Sequence, residues 1–239
     1  MRPLYVALVA VYFLTSGERV ASVLGQQRGG KAPSAAVQKL RDGVYRVGPI
    51  EVDTTKKELT VPAMLNRDVT ILEFVANTAK GSKAYESAMT ISTDAITFNT
   101  ALLLIGLDPA HARVPKQHFD PVAPKGDPVD IWLDWDMIPD VTSKSALHAR
   151  VEELLYDERT KTTMPSGPWV YTGSTLMNGR FMADNDGVLI GFVHSPAPLI
   201  ENPRAGAVSA YGSIVLNPKF KNYTGAIARL TVKALPASK

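Results

Sequence analysis

The chain has 239 residues, 45% of them hydrophobic and 21% charged, with a formal net charge of +3 and no cysteine. Such values suit one compact body with a core large enough to stand without staples. They exclude wholesale disorder, disulfides, Cys-ligated zinc and cysteine-ligated iron–sulfur clusters, and 26 basic against 23 acidic side chains is too even a balance for a nucleic-acid partner, which needs a basic stripe.

Arg2 is followed by an unbroken apolar run from Leu4 to Leu14. That run suits the hydrophobic segment of a signal peptide and falls short of the ~20 residues a membrane-spanning helix needs. Gly25 offers a small residue before a cut, with Gly17 as a competing position. Residues 1–25 are therefore expected as a signal peptide, the alternative being a buried N-terminal strand or helix. The polar stretch 26–42, with Gly29, Gly30 and Pro33, is expected as a flexible tether. No later segment approaches a membrane-spanning length of apolar residues, so the mature protein is expected to be periplasmic or extracellular without a transmembrane span.

Structure is expected to begin near Val44. Ile50 to Asp53 and Leu59 to Met64 read as a hairpin across Thr54–Lys57, Val69 to Val75 as a third strand and Ala88 to Ile91 as a fourth. The period then changes. Asp94 can cap a helix running to Leu107, with Gly106 in its last turn and Pro109 blocking continuation. Its run Leu102 to Ile105 is apolar all round and predicts burial on more than one face. Pro115, Pro121, Pro124 and Pro128 mark an extended crossover over 112–128. Beyond it Val129 to Asp136 alternates as a strand. Leu147 to Tyr156 fits either a helix or a strand interrupted near Glu152–Glu153. Trp169 to Tyr171 starts a further strand. Phe181 to Ala183 and Val188 to Val193 flank Asp184–Gly187, which reads as a hairpin turn. Tyr211 to Leu216 and Ala226 to Ala234 close the chain, and no internal repeat is evident. The expectation is an α+β fold, mainly antiparallel β with one buried helix and a β-rich second half. It divides into a β/α subdomain at 43–111, the proline-rich crossover at 112–128 and a β-rich subdomain at 129–235, packed as one unit.

Several short motifs recur in a familiar order. Leu59-Thr-Val-Pro-Ala-Met-Leu-Asn66, Lys83-Ala-Tyr-Glu-Ser87 and Ala101-Leu-Leu-Leu-Ile-Gly106, then Pro168-Trp-Val-Tyr-Thr-Gly-Ser174, Ala183-Asp184, Gly187 and Leu199-Ile200, resemble the YdjY-like family of exported bacterial proteins. The family pattern favours the interrupted strand over the helix at Leu147–Tyr156. Two departures stand out. Family members similar to this chain carry Gly-Lys-x-His-Glu-Ser, where Ser82 and Tyr85 replace the glycine and the histidine. A second histidine, before the apolar helical run, is replaced by Asn99. Chemistry resting on those histidines in relatives would not carry over.

Lys83, Glu86 and Ser87 remain at the motif. A Ser–Lys nucleophilic pair is one reading; a polar clamp tying a loop to the buried helix is the other, favoured because no histidine and no nucleophile elbow lies nearby. His148 and Glu152 share i, i+4 spacing without a third ligand. His111, His118 and His194 are dispersed, so no metal and no cofactor is assigned. Asp184–Gly187 lacks the length and the distal glutamate of a calcium loop. Asp134 and Asp136 share one strand face, where solvated charges are the plainer reading. Trp132, Trp135, Trp169 and Tyr171 could line a carbohydrate or peptide groove, against the plainer reading that at least one tryptophan packs in the core. Trp135, Trp169 and Tyr171 could flank an exposed strand edge that pairs with another chain, the alternative being that these aromatics simply fill the core. Together these features point to an exported cell-envelope protein with no catalytic residue assigned, a binding or assembly module whose partner is another envelope protein or a small ligand. The alternative is a hydrolase or metal-dependent enzyme centred on Lys83, Glu86 and Ser87.

Overall fold

The computed structural model describes residues 36–135, 147–204 and 212–236. The expected signal peptide, most of the tether, Asp136 and Tyr211 lie outside the described residues. The first element falls inside the expected tether. Strand β1 (Val37–Arg41) turns through Gly43 into β2 (Val44–Val47), and β2 into β3 (Ile50–Asp53). β4 (Glu58–Leu65) follows across the expected hairpin turn, held by Asp53, whose carboxylate accepts the amides of Thr55 and Lys56. Next come β5 (Phe74–Thr78), later than the sequence suggested, β6 (Ser87–Ile91) and helix α1 (Ala95–Leu104). The second half supplies β7 (Asp127–Trp135), β8 (Leu147–Arg150), β9 (Leu155–Asp157), β10 (Thr162–Thr163), β11 (Trp169–Tyr171), β12 (Leu176–Met177), β13 (Arg180–Phe181), α2 (Met182–Asp186), β14 (Val188–Gly191), β15 (Ile200–Glu201), β16 (Ile214–Leu216) and β17 (Ile227–Ala234).

Eight strands close into a ring in the order β4-β6-β5-β14-β15-β11-β7-β17, with β17 returning to β4. The fold is therefore mainly β rather than α+β, a barrel with β1–β3 and β8 as outlying strands and two small additional sheets. The two halves share a topology that no sequence repeat announces. In the first, β6 lies between β4, antiparallel to it, and β5, parallel to it. In the second, β15 lies in the same way between β11 and β14. The halves join through two antiparallel contacts, β5 with β14 and β7 with β17. Strands from both sides of the proline-rich crossover thus hydrogen-bond into one ring.

Alternation decides which side chains fill it. Leu59, Val232 and Ile131 stand in one cross-strand row, and Val61, Leu230 and Leu133 in the next, all buried. The opposite faces carry Glu58, Lys233 and Asp130, then Thr60, Thr231 and Trp132. Helix α1 starts where expected. Asp94 caps it by accepting the Thr97 amide at 2.7 Å and the Thr97 hydroxyl at 2.7 Å. Gly106, at φ +93°, ends it. It buries Ala95, Thr97, Phe98, Ala101 and Leu102, one broad face, but leaves Leu103 39% exposed. An apolar surface all round did not mean burial all round, because strands and α2 cover the helix on one side only.

The ambiguous stretch is a strand, a 3-10 turn over Val151–Leu154 and a strand, as the family pattern favoured. The expected hairpin turn at Asp184–Gly187 is instead the end of α2, terminated by Gly187 at φ +70°. A strand preceding Asp184 would have had to pair with β14; here β14 takes β5 and β15 on its two edges.

Candidate functional site

The Lys83 ammonium meets the Glu86 carboxylate at 2.5 Å, and that bond holds its proton affinity above the ordinary lysine value. Ser87 is fully buried and its hydroxyl donates to the Lys83 carbonyl at 2.8 Å, closing the 3-10 turn Ala84–Glu86. The Asn66 amide reaches the Ser87 carbonyl at 2.9 Å and the Ala84 carbonyl at 3.4 Å, so the clamp ties the β5–β6 connection to the end of β4. These bonds go to β4 and not, as expected, to the buried helix. In this arrangement the Lys83 ammonium is engaged by Glu86 and the Ser87 hydroxyl by a main-chain carbonyl, not by each other.

Trp135, Trp169 and Tyr171 are fully buried, which overturns both the groove and the exposed edge they were expected to flank. Trp169 pairs with inward-facing Val129, and Trp135 packs on Phe220 and Tyr223 at 5.9 and 5.1 Å. Alternation on β7 placed Trp132 on the other face, where its ring stacks on His148 at 4.5 Å and under Arg150 at 4.6 Å. His148 bonds Asp134 at 2.6 Å and Arg150 bonds Asp130 at 2.5 Å, so that face is a ladder of cross-strand pairs. β8 has a partner on one edge only among the described residues, yet the Arg150 amide donates to the Glu153 carboxylate at 3.1 Å, taking a donor an added strand would use.

Glu152, offered with His148 as a ligand pair, is instead the buried centre of an ionic cluster. Its Oε1 accepts from the Gly167 amide at 3.0 Å, Arg204 at 3.1 Å and Arg150 at 3.4 Å. Arg204 also donates to the Gly167 carbonyl and to Asn202 at 3.0 Å, and lies over Trp169 at 5.5 Å. Burial lowers the proton affinity of Arg204.

Two motif positions separated by 72 residues meet at the middle of α1. The Tyr171 hydroxyl donates to the Asn99 carbonyl oxygen at 2.7 Å. Burial, with Asp108 and Asp127 nearby, pushes the phenol well above its ordinary range. Asp127 accepts the Asp108 amide at 2.7 Å and bonds His111 Nδ1 at 2.7 Å, leaving that ring 63% exposed with its proton affinity raised. Asn99 and Tyr171, with Asp108, His111 and Asp127 beside them, bring positions from two parts of the family pattern together with titratable groups. Sequence spacing could not assemble it. Its signal was present only as two separate observations, Asn99 at a histidine position and Tyr171 within Pro168–Ser174.

The model of the YdjY domain family matches residues 50–214. The chain belongs to the YdjY family. No curated protein and no solved structure matches it. The YdjY match begins at β3 and ends within β16, so β17, which closes the barrel between β4 and β7, lies beyond it. Both departures from the family pattern fall inside the match. Tyr85 is 66% exposed, its hydroxyl 3.4 Å from Lys83 Nζ, whereas Asn99 holds Tyr171.

Proposed function

We propose that this YdjY protein is an exported cell-envelope protein that works as a non-catalytic binding or assembly module, with another envelope protein or a small ligand as partner. The observation that carries the reading is the commitment of the motif's polar groups to the fold. Ser87 donates to the Lys83 carbonyl, Lys83 is ion-paired with Glu86, and Asn66 fastens both ends of the turn. Export rests on the N-terminal pattern of Arg2 followed by Leu4–Leu14. Among the described residues no helix is long and apolar enough to cross a membrane.

The test is alanine at Lys83, Glu86 and Ser87, assayed for thermal stability and for hydrolysis of ester, amide and phosphate substrates. Ser87→Ala is expected to cost about 1 kcal/mol, the net worth of one buried hydrogen bond, with no turnover in the parent or the variants. Variants as stable as the parent that lose a turnover the parent possesses would establish the enzyme instead. Mass spectrometry of the protein recovered from the producing cell checks export: the expected N-terminus lies near residue 26, and an intact Met1 on the native protein refutes it.

A further inference from the structure

The return from β14 to its parallel neighbour β15 is made by residues 192–199 alone, shorter than the dozen or so residues such a crossover usually takes. The loop shows the strain of that economy. His194 sits at φ +54°, a left-handed conformation that is uncommon for any residue with a Cβ. What holds the loop is a carboxyl group. Glu201 is fully buried, its side chain lying against Gly191, where a Cβ would come within 3.0 Å of its Oε1. That oxygen accepts the Ser195 amide at 2.9 Å, while Oε2 is buried with no partner. The loop in turn holds the proline-rich crossover. The Phe119 amide donates to the His194 carbonyl at 2.9 Å, and His194 Nδ1, facing the Asp120 carbonyl at 2.9 Å, must carry the proton and donate. Asp120 folds its own segment by accepting the amides of Lys116 and Val122.

We infer that Glu201 is a proton-operated latch: with its carboxyl neutral it keeps the 192–199 loop closed and residues 116–122 seated on that loop, and loss of its proton to solvent releases both. A neutral acid at this position leaves one O–H unmet. A carboxylate would leave a whole charge buried, a much larger penalty. Among the described residues no charged side chain bonds this carboxyl. His194 is turned to Asp120, His118 is bonded to Glu73 at 3.2 Å, and Arg204 is bonded to Glu152. Only the main-chain amides of Ser195, Asn202 and His194 favour the ionised form, and burial outweighs them, pushing the carboxyl up to about 8. A carboxyl released to water returns to its ordinary value near 4.5. Closure is therefore strongest below that value, weakens by up to about tenfold per pH unit as pH rises towards 8, and levels off above it.

Amide hydrogen exchange between pH 5 and 9, corrected for intrinsic rates, reads this directly. Protection at Phe119 and Ser195 is expected to fall by up to about tenfold per pH unit until about pH 8, while amides in β4, β7 and β17 keep theirs. In Glu201→Gln, which keeps the shape and cannot ionise, protection at both positions is expected to be flat. Flat protection in the parent, an equal fall in Glu201→Gln, or an equal fall across the whole barrel overturns the latch. If the variant does not fold, the carboxyl resonance of Glu201 in the parent decides. A midpoint above 7, coinciding with lost protection at Phe119, supports the latch, and a midpoint near 4.5 overturns it.

Discussion

Replacing Glu152 by Gln removes one negative charge from a fully buried position while preserving the shape around it. Three donors converge on Oε1 of Glu152: the Gly167 amide, Arg204 and Arg150. Arg150 keeps an anion after the change, because Asp130 remains at 2.5 Å. Arg204 does not; it is left with the neutral oxygens of Asn202 and Gly167, its side chain 19% exposed. Breaking a buried ion pair by removing one partner costs about 3–5 kcal/mol. With one of two arginines still paired, the lower end applies, about 3 kcal/mol. For a domain of this size that corresponds to a fall in Tm of about 6–12 °C. The double variant Glu152→Leu/Arg204→Met replaces the broken pair by apolar contact over Trp169 and is expected to recover most of the loss, since buried pairs exchange with packed hydrophobics at little net cost. Urea denaturation of the parent, the single and the double variants measures both. A single variant costing less than about 1 kcal/mol, or a double variant worse than the single, would refute the assignment of Glu152 as the neutralising centre of this cluster.

Gly187→Ala is expected to destabilise by at least about 2 kcal/mol, because φ is +70° and an added Cβ would lie 2.3 Å from the Gly81 Cα; a variant within about 0.5 kcal/mol of the parent in urea denaturation contradicts the geometry. His111 is expected to titrate above its ordinary 6.5, its hydrogen bond to Asp127 being the main cause. The raised value means that this pair adds stability at low pH, and the contribution disappears as pH rises through the folded-state value. An NMR titration in which Asp127→Asn leaves the His111 midpoint unchanged would sink the pairing.

Local signals proved readable wherever the chain answers to its own neighbours. Asp94 and Gly106 bounded a helix because a cap and a left-handed residue act within one turn. Thr54–Lys57 joined two strands because turn geometry is set by adjacent residues. Alternation in β7 separated Ile131, Leu133 and Trp135 from Asp130, Trp132 and Asp134 correctly, and then the inference about Trp135 went wrong. A two-residue period says which side chains share a face. It does not say which face a barrel closes over, so the tryptophan assigned to an edge was a core residue and Trp132 was the one outside. Asp184–Gly187 failed for a related reason: Asn, Asp and Gly serve a hairpin turn and a helix end alike, and the two edges of β14, already taken by β5 and β15, decide between them.

From the sequence alone came the absence of thiol chemistry, the near balance of charge, the β-rich character, the capped helix and the family resemblance. Each follows from residue type or from contacts a few positions apart. Only the tertiary structure decided that β6 and β15 slip between their predecessors to close a ring, that Asn99 meets Tyr171, that Arg204 neutralises Glu152, and that Glu201 lies buried beneath the loop it holds, bonded to the Ser195 amide through one oxygen alone. Those contacts join residues brought together by strand order, and strand order depends on which buried faces fit one another once the whole chain has collapsed.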